Sequence, residues 1–214
     1  SKAKLTSPLG YIFSGQHPLT SWLAAPHYSD LSDTGLPVFM TEQAATASNS
    51  STADAQLNSA VNTLLNVDGL PDFPAIEPAA APSAVKQILA SSREQVNALL
   101  TGNSKYNWDN LLKPLEEIDD QLGKVWSPIG HLNGVMNSDA WRDAYNACLP
   151  ELSAYSSEMG QNADLCNAFK QISNGDAWDT LDNAQQKMVA DALRDFRLSG
   201  IDLAADDQQR YKEI

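Results

Sequence analysis

The sequence predicts an all-α fold, an antiparallel helical bundle, on three observations. From residue 57 onward apolar residues recur at spacings of three and four, the repeat of one helix face. No segment carries the apolar–polar alternation of a half-buried strand. The breaks between periodic stretches are short, which favours neighbours that run antiparallel.

Each element has its own signal. Leu57, Val61, Leu64 and Leu65 form a short amphipathic stretch. Gly69, Pro71, Pro74 and Pro78 then force a turn-rich, extended connector, because proline fixes φ and restricts the residue before it. Ser83 is placed to cap a helix reaching about Leu100, with Val85, Ile88, Leu89, Val96, Leu99 and Leu100 inward and Gly102 at its end. Leu111, Leu115, Ile118, Leu122 and Val125 make a narrow stripe on the next helix, with Pro114 in its first turn. The acidic run Glu116, Glu117, Asp119, Asp120 is expected on the opposite, solvated face. Ser127-Pro128 and Gly130 are expected to break that helix.

Ser138 is the expected cap of the following helix, with Asp139 in a first turn where a carboxylate suits the dipole. Trp141, Tyr145, Cys148, Leu152, Tyr155 and Met159 continue its apolar stripe, and Pro150 inside it predicts a kink or a split. Two more helices are expected at about 162–173 and 182–198. The second has Met188, Val189, Leu193 and Phe196 inward and Gly200 as its terminator.

Residues 1–56 differ and are expected to be an irregular, flexible extension ahead of a helical region at 57–214. Pro8, Pro18, Pro26 and Pro37 interrupt the first 39 residues, which hold no sustained period. Met40 is the first methionine and precedes better-patterned sequence, so the expectation is that it is the natural start and that residues 1–39 are non-native. The Ala/Ser/Thr run at 44–55 buries too little apolar surface to offset its ordering entropy, and is expected to be flexible.

Composition limits the function classes. The chain has 214 residues, 43% of them hydrophobic, enough for a large packed core. Its net charge of −13 repels phosphate backbones, so a nucleic-acid partner is not expected. No run is long and apolar enough to span a bilayer, and the basic start is followed by Pro8, Gly10, Gly15 and Pro18 rather than a signal core. Cys148 and Cys166 have no metal-ligand spacing and read as buried thiols of a reducing compartment.

Candidate chemistry is sparse. His17, His27 and His131 have no His or Glu three or four residues away, so local zinc ligation is not supported. His131 reads as a packing or capping residue after a Pro-Gly break. The carboxylates of the acidic run could seed a metal site but lack an accompanying His. H-E-x-x-H, G-x-x-x-x-G-K-[ST], G-x-G-x-x-G and G-x-S-x-G are all missing. No catalytic, cofactor-binding or metal-binding residue is assigned to this chain.

Five ordered blocks carry a family resemblance. They are Leu70-Pro71-x-Phe73-x-x-Ile76-x-Pro78 with Ala84-Val85, and Trp108-x-Asn110-Leu111, Pro114-Leu115 and Ile118-Asp119-Asp120-x-Leu122-Gly123. Ser127-Pro128-x-x-His131-Leu132-Asn133-x-Val135-x-Asn137-Ser138 and Leu149-Pro150-x-Leu152-Ser153-x-Tyr155-Ser156 follow. The last joins Asp195-Phe196-Arg197-Leu198-Ser199-Gly200-Ile201-Asp202-Leu203 to Arg210-Tyr211-Lys212-Glu213-Ile214. From about residue 70 to 214 the chain resembles the N-terminal part of the thimet oligopeptidase family of zinc metallopeptidases, in its oligopeptidase A branch. The resemblance implies a cytoplasmic, largely helical parent that cuts short peptides in a channel between two lobes. It also implies zinc held by an H-E-x-x-H helix and a downstream Glu, all beyond Ile214, with this part walling the channel. On that reading the chain is a fragment inert alone, with exposed stripes that favour self-association. The alternative is a free-standing, non-catalytic helical interaction module that keeps the family fold.

Overall fold

The computed structural model describes residues 46–212, with side chains for 54–204, 206–208 and 210. The expectations for residues 1–39 and Met40 fall outside that range. Among the described residues the fold is helical throughout, without strands. Seven α-helices follow one another: α1 Thr46–Leu65, α2 Ala81–Gly102, α3 Lys113–Met136, α4 Asp139–Gly160, α5 Ala163–Asn174, α6 Asn183–Leu198 and α7 Ala205–Lys212.

Helix α1 buries Ala60, Val61 and Leu64, with Leu57 and Leu65 packed at the margin. It begins at Thr46 and runs unbroken across residues 56 and 57. The run expected to be flexible is therefore helical from Thr46 on. Alanine is the best helix former, and the buried second half of the same helix supplies the anchoring that composition alone lacks.

The connector forms two single 3₁₀ turns, Phe73–Ala75 and Pro78–Ala80, each with a proline at its start. The second leads straight into α2, which begins at Ala81 without a side-chain cap. Ser83 therefore lies inside the helix rather than at its cap, because the preceding turn already supplies the entry. At the other end Asn103 Nδ2 donates to Leu99 O at 2.9 Å and Tyr106 Oη donates to Leu100 O at 2.9 Å. Side chains satisfy those last carbonyls, and Gly102 is simply the final helical residue.

Asn107 and Asn110 close a reciprocal capping box: Asn110 N donates to Asn107 Oδ1 at 3.0 Å, and Asn107 N to Asn110 Oδ1 at 2.8 Å. A π-helical turn over Trp108–Leu112 follows and runs into α3, with Pro114 in its first turn as expected. Leu111, Leu115, Ile118, Leu122 and Val125 are all buried. Helix α3 does not break at Ser127-Pro128 but continues to Met136. Pro128 is itself buried, and Val125, Trp126, Ile129 and Leu132 around it keep the helix packed despite the lost N–H bond.

Asn137 ends α3 with φ of 45°, and its N–H donates to Asn133 O at 3.3 Å. Arg142 from the next helix donates to both Asn137 O and Asn137 Oδ1 at 2.7 Å and pairs with Asp139. Ser138 caps α4 as expected, accepting from Trp141 N at 3.3 Å. Helix α4 passes through Pro150 without splitting. Asn162 caps α5, and Asp182 forms a capping box with Gln185 on α6. The end of α6 is a Schellman motif on Gly200, φ 82°: Ile201 N donates to Phe196 O at 3.2 Å and Gly200 N to Arg197 O at 3.1 Å.

Helix α2 is the centre of the packing and meets α1, α3, α4 and α5. Its Ala80–Ala81 entry and Ala84, Val85 and Leu89 are fully buried, so neighbouring helices approach closely. Trp126 stacks on Tyr145 at 4.8 Å between α3 and α4. Phe169 meets Phe196 edge-on at 5.6 Å between α5 and α6. Each buried stripe residue contributes roughly 1.5–3 kcal/mol relative to exposure.

Candidate functional site

A groove of about 810 Å³ lies where α2, α4 and α5 meet. Helical spacing places Arg93, Asn97 and Leu100 of α2 along one wall, while Asn162, Asn167 and Gln171 line the other near α5. Arg93 crosses between them: Nε donates to Glu158 Oε2 at 2.7 Å, and the guanidinium lies 5.2 Å from the Tyr155 ring centre.

A polar cluster lies beneath this crossing. Ser92 is fully buried and donates to Ile88 O at 2.9 Å. Tyr155 is 2% exposed, and its hydroxyl meets no partner of hydrogen-bond geometry. Burial pushes that phenol up to about 12; the neighbouring Ser92 opposes the rise and Asp119 adds to it. Asp119, from α3, is 4% exposed and its Oδ1 has no hydrogen-bond partner. Burial, then the charge of Asp120, lifts its carboxyl to about 7.

Asp119 corrects the reading of the acidic run as one solvated face. Glu117 and Asp120 are exposed, Asp120 pairing with Lys124 at 2.8 Å, but Asp119 points into the core. The signal was present in the spacing: Asp119 follows Leu115 by four and precedes Leu122 by three, so it shares their face. Glu116 is half-buried, and burial followed by Glu117 raises its carboxyl.

His131 is exposed and packs against Phe73, ring centres 5.4 Å apart, the packing role expected of it. Cys148 and Cys166 are buried, unpaired thiols, and burial, then Glu151, pushes Cys148 up to about 11. That direction disfavours the reactive thiolate. Among the described residues no three His, Cys, Asp or Glu side chains group as a metal would require. The donor set among the described residues does not fit zinc. What the groove offers is hydrogen bonding: four side-chain amides, Asn97, Asn162, Asn167 and Gln171, each both donor and acceptor.

The order of helices and the α2-centred core describe an all-α helical domain. The family described as Neurolysin/Thimet oligopeptidase, N-terminal domain, matches residues 85–209. The chain belongs to the thimet oligopeptidase family, and residues 85–209 correspond to its N-terminal domain. It is 48% identical over 153 residues to Oligopeptidase A of Salmonella typhimurium and 46% identical to Oligopeptidase A of Escherichia coli. It is 29% identical to a Probable cytosolic oligopeptidase A of Arabidopsis thaliana. Each match covers 72% of this chain and 22% of the relative, so the chain spans about a fifth of their length.

Proposed function

We propose that this chain is the N-terminal region of a cytoplasmic zinc metallo-oligopeptidase that hydrolyses short peptides, and that it walls the channel holding them. The observation that carries the reading is identity of 48% and 46% to two proteins named Oligopeptidase A. The catalytic zinc, its H-E-x-x-H helix and a further Glu belong to sequence after Ile214. The helical region from α1 onward makes part of the enzyme's lobe. No described helix is long and apolar enough to cross a membrane.

The groove between α2, α4 and α5 is the part of this lobe best suited to face a peptide. Its amides match the alternating donors and acceptors of a peptide backbone whatever the side chains, which suits an enzyme of broad sequence tolerance. Glu94, Glu158 and Asp164 outnumber Arg93 along it and favour peptides carrying positive charge.

The reading is tested by following the gene past the Ile214 codon. An open frame reaching H-E-x-x-H with a downstream Glu supports it. A stop codon there overturns it in favour of a free-standing helical module. A second arm is the purified chain with zinc and a short fluorogenic peptide. No turnover is expected; zinc-dependent turnover would put the chemistry in this chain and overturn its role as a wall.

A further inference from the structure

The buried carboxyl of Asp119 has no role in walling a channel. A carboxylate taken out of water needs a cation or several donors, and without them it keeps its proton instead. Asp119 is 4% exposed, its Oδ1 meets no donor, and no Lys or Arg among the described residues pairs with it. The cation of the cluster, Arg93, is committed to Glu158 and to the Tyr155 ring.

Tyr155 of α4 lies close enough for the Asp119 charge to raise its phenol, and Ser92 and Arg93 of α2 and Glu158 of α4 surround that phenol. On α3 itself the neighbour is Asp120, a like charge. The π-helical turn packed against α3 carries Asp109, which is exposed. No cation is among the groups that set the Asp119 carboxyl, which burial and then Asp120 both raise. A protonated carboxyl, by contrast, brings a donor to a cluster where Tyr155 Oη has no partner of hydrogen-bond geometry.

We propose that Asp119 is a proton-operated latch: its neutral acid holds α3 against α2 and α4, and its loss of a proton loosens that three-helix contact beneath the groove. The latch reaches the groove through Tyr155, because Arg93 lies over its ring and, with Glu158, lines the groove wall. The inference rests on the burial of Asp119 and the rise it causes in the carboxyl, and stands whether or not the channel reading does.

The sign follows from linkage. The folded state binds the Asp119 proton up to about pH 7, whereas the unfolded chain releases it near the ordinary 3.8. Between those values the folded state holds more protons, so this group's stabilisation is complete at the acid end. It is lost as pH rises toward 7.

The test is urea unfolding of the full chain from pH 5 to 8.5, wild type beside Asp119→Asn, which keeps the shape and removes the charge. The ratio of the two unfolding constants is expected to change by roughly tenfold per pH unit up to about pH 7 and then level off. Asp119→Asn is therefore the more resistant at pH 8. Parallel pH profiles of the two proteins would overturn the latch. If Asp119→Asn does not fold, carbon NMR of the wild-type aspartate carboxyls decides. One carboxyl titrating near neutrality, with a matching change in Tyr155 ring resonances, supports the latch. Aspartates all ionised by pH 5.5 overturn it.

Discussion

Leu122→Ala probes the packing of α3 most directly. Leu122 is 5% exposed, midway along a helix that packs on both α2 and α4. Truncation removes three carbons, a transfer loss of about 2.4 kcal/mol at roughly 0.8 kcal/mol per methylene. A cavity term adds to this wherever the walls do not collapse. Collapse is restricted here, because α3 is fixed at one end by the π-helical turn and at the other by Arg142 on Asn137. The expected cost is about 3–4 kcal/mol, within the range for buried Leu→Ala changes. For a chain of this size that lowers Tm by about 6–16 °C. The assay is thermal unfolding followed by far-UV circular dichroism. The control is Leu198→Ala, at a leucine 68% exposed, expected to stay within about 0.5 kcal/mol of wild type. Equal shifts for the two variants would refute the assignment of Leu122 to the core.

Three further outcomes are expected. Gly200→Ala forces a side chain into φ 82° and should cost about 1–2 kcal/mol, read as a lower urea midpoint; an unchanged midpoint would show the Schellman end to be unimportant. Asp182→Ala removes the acceptor for Ala184 N and Gln185 N and should cost about 1 kcal/mol, with Asp182→Ser recovering most of it in the same melts. Arg93→Met breaks the ion pair with Glu158 in a half-exposed setting, so the loss should stay below about 1 kcal/mol at 0.15 M salt; a loss above 2 kcal/mol would mean the pair is far more desolvated than its exposure indicates.

Much of this fold was legible because its helices obey local rules. The stripe from Leu111 to Val125 is buried residue for residue, and Ser138 caps where its position before Asp139 and Trp141 implied. The errors share a cause: a local signal was outweighed by packing. Pro128 removes one backbone bond, yet its helix continues because burial on either side is worth more. The Ala/Ser/Thr run looked too polar to order, but it extends a helix whose other half is anchored by Val61 and Leu64. Asp119 was misplaced because charge was read before phase. The groove was not legible at all, since Arg93 and Glu158 lie 65 residues apart and meet only through tertiary packing.

The central position of α2 also bears on how the molecule comes apart. Helices α1, α3 and α4 all rest on it, so none of them can leave without exposing core that the others share. The pair α5–α6 is different: it closes around its own Phe169–Phe196 contact and meets α2 along a thin seam. Two cooperative units follow from this arrangement. Native-state hydrogen exchange would find amides of α5 and α6 opening together at a lower free energy than those of α2. The domain then divides into a rigid block around α2 and a pair of helices that opens more easily.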